Sequence, residues 1–148
     1  MDIVKVESEK LLEAMVDVSC ELGAVVAGGP ADPEAMRRNL AMMISEAAYE
    51  VFAARVGERV LGLVAVHYYE GMTGQRPAAR ISELVIRADA HGGGVARDLV
   101  TAAAMAARVR GAGTLEIAAE SDDDSAVELY HGLGFSDWRI LFRMDLGA

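Results

Sequence analysis

The sequence has a single cysteine, Cys20, and no long apolar run. One cysteine excludes an intramolecular disulfide. The longest apolar stretches, at residues 60–66 and 101–107, are far shorter than the ~20 residues that a membrane-spanning helix needs. The chain also does not open with the basic segment and apolar run of a secretory signal peptide. We therefore expect a cytoplasmic protein that does not bind membranes.

Lysine is scarce as well. Lys5 and Lys10 are the only lysines among fourteen basic residues, which stand against 23 acidic residues and leave a formal net charge of −9. Nucleic acids and anionic membranes are bound by basic surfaces, so this balance excludes both as expected partners. It favours a partner or substrate that carries positive charge.

Histidine occurs three times, at His67, His91 and His131. No two of these residues have the i,i+4 spacing of a helical metal site, and none has a cysteine beside it. We expect no metal site.

The apolar content is sufficient for one folded domain. The chain has 148 residues, of which 53% are hydrophobic and 25% charged, as is typical of globular proteins. We expect a single domain over residues 1–148. The apolar periodicity predicts an α+β fold, in which about four helices flank a central mixed, mostly antiparallel sheet.

Turn residues separate the predicted elements. Asp32 followed by Pro33 is typical of a helix start. Gly57-Glu58 is typical of a two-residue hairpin, which joins strands at Tyr49–Val56 and Arg59–Tyr69. Other strands are predicted at residues 3–6, 80–86, 114–119 and 138–146, and helices after Ser8, after Asp32, at 95–110 and at 125–132.

The most informative local pattern is His91-Gly92-Gly93-Gly94-Val95-Ala96, between a predicted strand and a predicted helix. Three glycines let a backbone approach a ligand closely, and the first turn of a helix presents unpaired N–H groups at its positive end. Such a site favours a phosphate group. A flexible glycine turn that binds nothing is the alternative interpretation.

Two well-known phosphate loops fit this turn poorly. The nucleoside-triphosphate loop ends in Gly-Lys-Ser/Thr, a triplet that the sequence lacks. The dinucleotide pattern G-x-G-x-x-G matches Gly92 and Gly94 but meets Arg97 at its third glycine, with Glu116 or Glu120 near the expected ribose position. Because an antiparallel meander precedes the turn and little chain follows it, nicotinamide binding ranks third among our hypotheses.

Two segments resemble one known family. Residues 83–96, ELVIRADAHGGGVA, resemble the acetyl-CoA segment of the GNAT superfamily of N-acetyltransferases, whose turn reads Gln/Arg-x-x-Gly-x-Gly/Ala. Residues 126–135, AVELYHGLGF, resemble the family's second motif, Ala-x-x-x-Tyr-x-x-x-Gly-Phe. The two motifs stand in the family's element order, and the resemblance extends over essentially the whole chain.

The resemblance implies acetyl-CoA as the donor and assigns roles to residues. The strand residues Leu84, Val85 and Ile86 would hold the pantetheine arm through main-chain hydrogen bonds. Tyr130 falls at the position of the family's usual general acid. The pyrophosphate would lie at the turn and the helix start, against His91, Gly92, Gly93, Gly94, Val95, Ala96 and Arg97.

Two residues depart from the family pattern. His91 replaces the Gln or Arg that opens the turn, which weakens a side-chain contact to phosphate while the backbone amides remain. Asp123 stands where an Asn commonly precedes the second motif's helix, so it adds a negative charge near the cofactor.

Two side chains have competing interpretations. Glu83, by strand alternation, shares a face with Ile81 and Val85 and is either an edge-facing charge or a base. Tyr130 is either a core aromatic or the donor that stabilises the departing thiolate.

We therefore expect an acyltransferase that transfers acetyl from acetyl-CoA to a primary amine by direct attack in a ternary complex. The acidic charge favours a cationic acceptor: a polyamine, an aminoglycoside or a lysine side chain of a peptide. The loops at residues 25–32 and 69–78 are expected to shape its pocket.

Two further expectations accompany this one. A non-catalytic acyl-CoA-binding or regulatory module of the same fold is the alternative function. Tyr68, Tyr69, Trp138 and Phe142 form an apolar strand surface on which a homodimer is possible.

Overall fold

The computed structural model describes residues 1–21, 25–26, 29–30, 32–72, 74 and 76–147. It divides into two units, residues 1–116 and the chain from residue 117 onward. The first unit contains three helices and the main sheet, apart from the last residue of its final strand. The second unit contains one helix.

Seven strands form two sheets within the described residues. A two-stranded ladder pairs β2 (Val25–Val26) with β3 (Gly29–Pro30). The main sheet has the spatial order β1-β4-β5-β6-β7, made of β1 (Asp2–Lys5), β4 (Tyr49–Val56), β5 (Arg59–Tyr69), β6 (Ala78–Ile86) and β7 (Leu115–Ile117).

The main sheet is mixed. The pairs β1–β4, β4–β5 and β5–β6 are antiparallel. Strand β7 runs parallel to β6 where the two strands meet. The Gly113 N–H donates to the Pro77 carbonyl (3.1 Å) and the Ala79 N–H donates to the Thr114 carbonyl (3.0 Å), so the residue numbers of the two partners increase in the same direction. The predicted α+β class with a mostly antiparallel mixed sheet is confirmed.

Four α-helices accompany the sheet in the described residues: α1 (Leu12–Glu21), α2 (Pro33–Ser45), α3 (Val95–Val109) and α4 (Asp124–Gly132). Helix α2 begins as predicted, since the Asp32 carboxylate accepts hydrogen bonds from the N–H groups of Glu34 (3.0 Å) and Ala35 (3.3 Å). Helix α1 begins differently, after a 3-10 turn at Glu9–Leu11, and Ser8 makes no side-chain cap. None of these helices is long and apolar enough to cross a membrane.

Helices cover both faces of β5. On one face, Leu63 and Ala65 belong to a core cluster with Met15 and Val18 of α1 and Leu40 of α2. Helix α3 contacts the same strand, and it approaches at Gly62, where an added Cβ would lie 3.2 Å from the Leu99 side chain. Since successive strand residues face opposite sides, α3 lies on the face opposite α1 and α2.

A β-bulge in β6 overturns one sequence expectation. Ala65 pairs with Glu83 but Val66 pairs with Ile81, so Ser82 is an extra residue in the ladder. The extra residue reverses the alternation on its N-terminal side. The prediction that Glu83 shares a face with Ile81 is therefore wrong, whereas its shared face with Val85 is confirmed.

The chain after α4 also differs from the prediction. No strand forms at residues 138–146, and residues 135–147 are neither helix nor strand. Trp138, Ile140 and Phe142 alternate as in a strand, but alternation marks only a face, and a strand also needs a hydrogen-bonded neighbour. Strand β7 is likewise shorter than the predicted 114–119.

The packing of Gly62 leads to a stability prediction. In Gly62→Ala the new Cβ would lie 2.7 Å from the Val85 carbonyl oxygen and 3.3 Å from the Val95 side chain. We expect the variant to lose about 1–3 kcal/mol of unfolding free energy, as overpacked cores do. Thermal unfolding measures the loss. The matched control is Gly71→Ala, whose Cβ would meet nothing within 4 Å, and equal melting temperatures for the two variants would contradict the packing argument.

Candidate functional site

The glycine-rich turn after β6 has an open backbone. A 3-10 turn at Ala88–Ala90 follows the strand, and α3 begins at Val95. Gly92 and Gly94 have φ angles of 86° and 82°, which L side chains rarely adopt, and a Cβ on either would meet nothing within 4 Å. The turn is therefore shaped by its glycines and leaves space in front of its backbone.

The amides at the start of α3 are available to a ligand. Gly94 is the N-terminal cap and has no side chain to accept from them. Within the described part of the chain, no acceptor contacts the N–H groups of Val95, Ala96 and Arg97. These groups and the positive end of the helix favour an anion. The turn and helix start contain the residues to which the resemblance assigned the pyrophosphate: His91, Gly92, Gly93, Gly94, Val95, Ala96 and Arg97. Their role in binding stays a prediction.

Charged side chains surround the approach to this turn. Arg59 donates to Asp89 at 2.5 Å, and Arg87 lies 3.4 Å from the same carboxylate. The hydrogen bond from Arg59 holds the pKa of Asp89 below its usual value. Asp89 therefore stays ionised and fixes two guanidinium groups beside the turn, which offsets the acidic charge of the chain locally.

The strand residues Leu84, Val85 and Ile86 come immediately before the turn. Strand β7 is hydrogen-bonded to the start of β6, at Pro77 and Ala79, and it has only three residues. Strand β6 continues past it to Ile86. The second half of β6 therefore has main-chain groups on its β7 side that a ligand can reach. The predicted role of these three residues in binding stays a prediction.

Glu83 lies on the sheet face that α1 and α2 cover. Its cross-strand neighbour is Ala65, a core residue of that face. Within the described ranges Glu83 forms no hydrogen bond or ion pair, although its side chain remains accessible to solvent. Partial desolvation raises the pKa of its carboxyl above the usual value. Such a group is a stronger base than an ordinary surface glutamate.

Tyr130 belongs to the second unit, on α4. Its ring packs edge-on against Phe135, with centroids 6.1 Å apart. Burial and the nearby negative charge of Asp123 raise the pKa of its hydroxyl. Among the residues that the structure describes, no group is hydrogen-bonded to that hydroxyl, so it is free to donate to a ligand.

Asp123 has a structural role at the start of α4. Its carboxylate accepts from the Ala126 N–H at 3.0 Å and from the Ser125 hydroxyl at 2.9 Å. These two hydrogen bonds lower the pKa of Asp123. The residue is the N-terminal cap of α4.

An aromatic stripe of Tyr49, His67 and Tyr69 was missed by the sequence analysis. Tyr49 and His67 pair across β4 and β5 with their rings stacked 4.6 Å apart, and His67 lies 6.0 Å from the Tyr69 ring. Tyr69 donates from its hydroxyl to Glu116. The hairpin at Gly57 alone would place Tyr49 opposite Val66, but the ladder shifts by one residue between Ala54 and Arg55, so the sequence carried no local signal for the Tyr49–His67 pair.

The sequence and structure match known proteins. Residues 13–135 match the model of the acetyltransferase (GNAT) family. Among curated protein sequences, no significant match was found. Solved structures match the whole fold.

Three of these solved structures illustrate the range. A transcriptional regulator from Bacillus halodurans C-125 has a TM-score of 0.83 and 22% identity, over 98% of this chain and 100% of its own. The aminoglycoside acetyltransferase meta-AAC0020 from an uncultured soil metagenomic sample, in complex with sisomicin, has a TM-score of 0.80 and 16% identity, over 99% and 96%. The aminoglycoside N-acetyltransferase AAC(6')-Iy in complex with CoA has a TM-score of 0.82 and 15% identity, over 99% and 95%.

The raised pKa of Glu83 leads to a pH-dependent prediction. Ionisation of a group whose pKa is raised by folding favours the unfolded chain, so stability falls as pH rises from the usual pKa through the folded one. We expect Glu83→Gln to raise the melting temperature at pH 7 and to leave it unchanged near pH 4. Thermal unfolding at the two pH values measures this.

The matched control is Glu13→Gln. Glu13 accepts from Arg37 at 2.6 and 2.8 Å, and that hydrogen bonding lowers the pKa of its carboxyl. The control should therefore not gain stability at pH 7. A gain in both variants would show a general charge effect instead.

Proposed function

Because the chain belongs to the acetyltransferase (GNAT) family, we propose that it transfers an acetyl group from acetyl-CoA to a primary amine. The observation that carries the donor assignment is the open turn at Gly92–Gly94, with three unpaired N–H groups behind it. A pyrophosphate is an anion of the right size and charge for such a turn. The donor is a substrate, and its reactive thioester supplies the acetyl group.

The second half of β6 is proposed to bind the pantetheine arm. This arm has amide groups, which pair with main-chain N–H and C=O groups as an added strand would. The same N–H groups of Leu84, Val85 or Ile86 are the natural donors to the oxyanion that forms when the amine attacks the thioester carbonyl. Strand β6 leads directly into the turn, so one segment holds both ends of the donor.

The acceptor must lose a proton before it attacks. An alkyl amine with a pKa of about 10.4 is protonated at pH 7, at a cost of about 3.4 pKa units or 4.6 kcal/mol. Glu83 is our candidate for this step. Its carboxylate holds the ammonium group and passes its proton to water, and its raised pKa makes the transfer less unfavourable.

Collapse of the tetrahedral intermediate breaks the carbon–sulfur bond and releases the CoA thiolate. We assign Tyr130 to this step. A thiol has a pKa of about 8.5 and a tyrosine about 10, so complete proton transfer is uphill. Since the pKa of Tyr130 is raised further, the hydroxyl stays protonated and acts first as a hydrogen-bond donor to sulfur.

The acceptor is proposed to be a cationic small molecule or peptide. The net charge of −9 attracts such a substrate. The names of two structural neighbours, which are aminoglycoside acetyltransferases, support an amine-bearing small molecule. The experiment is a free-thiol release assay with acetyl-CoA across a panel of amines. Saturable CoA binding without thiol release from any amine would favour the non-catalytic acyl-CoA-binding module.

The turn can be tested by substitution. We expect Gly94→Glu to abolish CoA binding, because the side chain adds a negative charge and strain where the backbone must approach the pyrophosphate. His91→Ala removes at most one side-chain contact and should weaken binding only about two- to fivefold, well under the ~1.4 kcal/mol of a tenfold change. Calorimetric titration with CoA measures both.

The matched control for Gly94→Glu is Gly111→Glu. Gly111 has a φ angle of 83°, against 82° for Gly94, and it lies just beyond the other end of the 15-residue helix α3. Gly111→Glu therefore introduces the same backbone strain and the same charge, but roughly 25 Å from Gly94 at 1.5 Å per residue. Equal losses of CoA binding in Gly94→Glu and Gly111→Glu would contradict the role of the turn.

Tyr130 can be tested without removing its ring. If the hydroxyl stabilises the thiolate, Tyr130→Phe should leave CoA affinity unchanged and lower turnover by roughly 10²–10⁴-fold. A core tyrosine would instead change stability by about 1 kcal/mol with normal turnover. Turnover and melting temperature are measured on the same sample. Wild-type turnover in this variant would remove Tyr130 from the mechanism.

A further inference from the structure

Four neighbouring strands place rings and carboxylates on the sheet face that carries Glu83. Tyr49 of β4 pairs with His67 of β5, and His67 pairs with Arg80 of β6. Directly paired residues point to the same side of a sheet. Tyr69, two residues beyond His67, shares that side, and its hydroxyl reaches Glu116 of β7.

The end of this sheet face that carries Tyr49, His67 and Tyr69 is accessible to solvent, whereas the rest of the face is buried. Val51, Leu63 and Ala65 on the same face are at most 1% exposed and belong to the core. The rings of the aromatic stripe are only partly buried. Half-buried rings beside the core of a sheet are an apolar surface that a ligand can cover.

Glu116 is held in place but its charge is not fully compensated. It accepts from Tyr69, and its one cation in the described residues, Arg80, lies 3.6 Å away and also packs 5.3 Å from the Tyr69 ring centroid. Glu83, on the same face, has no cation beside it among these residues. The surface therefore has two carboxylates against one guanidinium.

The opposite face has a closely similar pair that is neutralised. Tyr68 donates to Glu50 at 2.7 Å, and Glu50 has two cations, Lys5 at 3.1 Å and Arg110 at 3.6 Å. Tyr68 is 7% exposed. The Tyr68–Glu50 pair is thus part of the packing, and its negative charge is balanced. The Tyr69–Glu116 pair, in contrast, retains negative charge on an accessible surface.

We infer that the surface of Tyr49, His67, Tyr69, Glu83 and Glu116 binds the acceptor, and that it selects amines with a second ammonium group. This inference rests on the proposed function. Glu83 receives the reacting amine, Glu116 binds the second cation, and the aromatic stripe packs against the carbon skeleton of the acceptor. Arg80 and Tyr69 are positioning residues that hold Glu116.

The strand geometry sets the spacing of the two cations. Glu116 lies beside Arg80, three residues before Glu83 in β6. At ~3.3 Å per residue along a strand and ~4.8 Å between strands, the two backbones are at most roughly 11 Å apart, and the bulge at Ser82 shortens this distance. Flexible side chains shorten this span, so we expect acceptors whose nitrogens are roughly 6–10 Å apart to be favoured over monoamines of the same length.

The test uses variants of the two tyrosine–glutamate pairs in the full chain. Glu116→Gln and Tyr69→Phe should raise the KM for a diamine about tenfold and about threefold, with kcat and the KM for acetyl-CoA within about twofold of wild type, as expected for lost binding of one partly exposed charge. The controls Glu50→Gln and Tyr68→Phe should change none of these constants. Melting temperatures verify that every variant is folded.

The acceptor series separates this inference from the proposed function. With wild-type enzyme, the KM of an α,ω-diamine should be at least tenfold below that of the matched monoamine, and Glu116→Gln should remove that difference. Equal KM values for diamine and monoamine, or an unchanged diamine KM in Glu116→Gln, would overturn the inference while thiol release still supports the transferase. Absence of thiol release with every amine, despite CoA binding, would overturn the proposed function itself.

Discussion

Strand β5 must be buried on both faces, and the arrangement of the first unit depends on this requirement. Leu63, Val64, Ala65 and Val66 are each at most 1% exposed. Such a strand is stable only if helices cover both sides and hydrogen-bonded strands flank both edges. Helices α1 and α2 cover one face of β5 and α3 covers the other, while β4 and β6 are hydrogen-bonded to its two edges. Strand β6 and the turn that follows it are therefore fixed against a rigid neighbour. A binding turn on a rigid strand needs little reorganisation when its ligand arrives.

The bulge at Ser82 divides β6 into a half that is paired on both edges and a half to which the proposed function assigns donor binding. Before it, Ala79 and Ile81 pack on the α3 face, and the strand is paired on both sides. After it, the strand continues beyond β7, and Glu83 lies on the opposite face to Ile81. One extra residue therefore both directs a carboxylate toward the open surface and precedes the main-chain groups assigned to the donor. Bulges beside functional sites have this use in many sheets.

Much of the first unit could be predicted from local chemistry. The hairpin at Gly57, the cap at Asp32 and the glycine turn at Gly92–Gly94 are each specified by a few adjacent residues, and each appears where the sequence indicated. The bulge at Ser82 could not be predicted, because it depends on how β5 and β6 align over their whole length. The strand expected at residues 138–146 does not form, for a related reason. An alternating sequence shows which side chains share a face, but whether the segment finds a hydrogen-bonded neighbour depends on the rest of the fold.

The proposed function requires an acidic chain to bind both an anionic donor and a cationic acceptor, and the placement of its charges is compatible with both. In the proposed function, the donor meets backbone amides, a helix N-terminus and the guanidinium groups of Arg59 and Arg87, which Asp89 keeps in position. These are local fields, effective within a Debye length of about 8–10 Å, so the net charge of the chain does not cancel them. The acceptor side depends instead on carboxylates that lack full compensation. A net charge of −9 is suited to attract the proposed acceptor at long range, and fixed dipoles are suited to hold the proposed donor at short range, so the two requirements of the proposed function do not conflict.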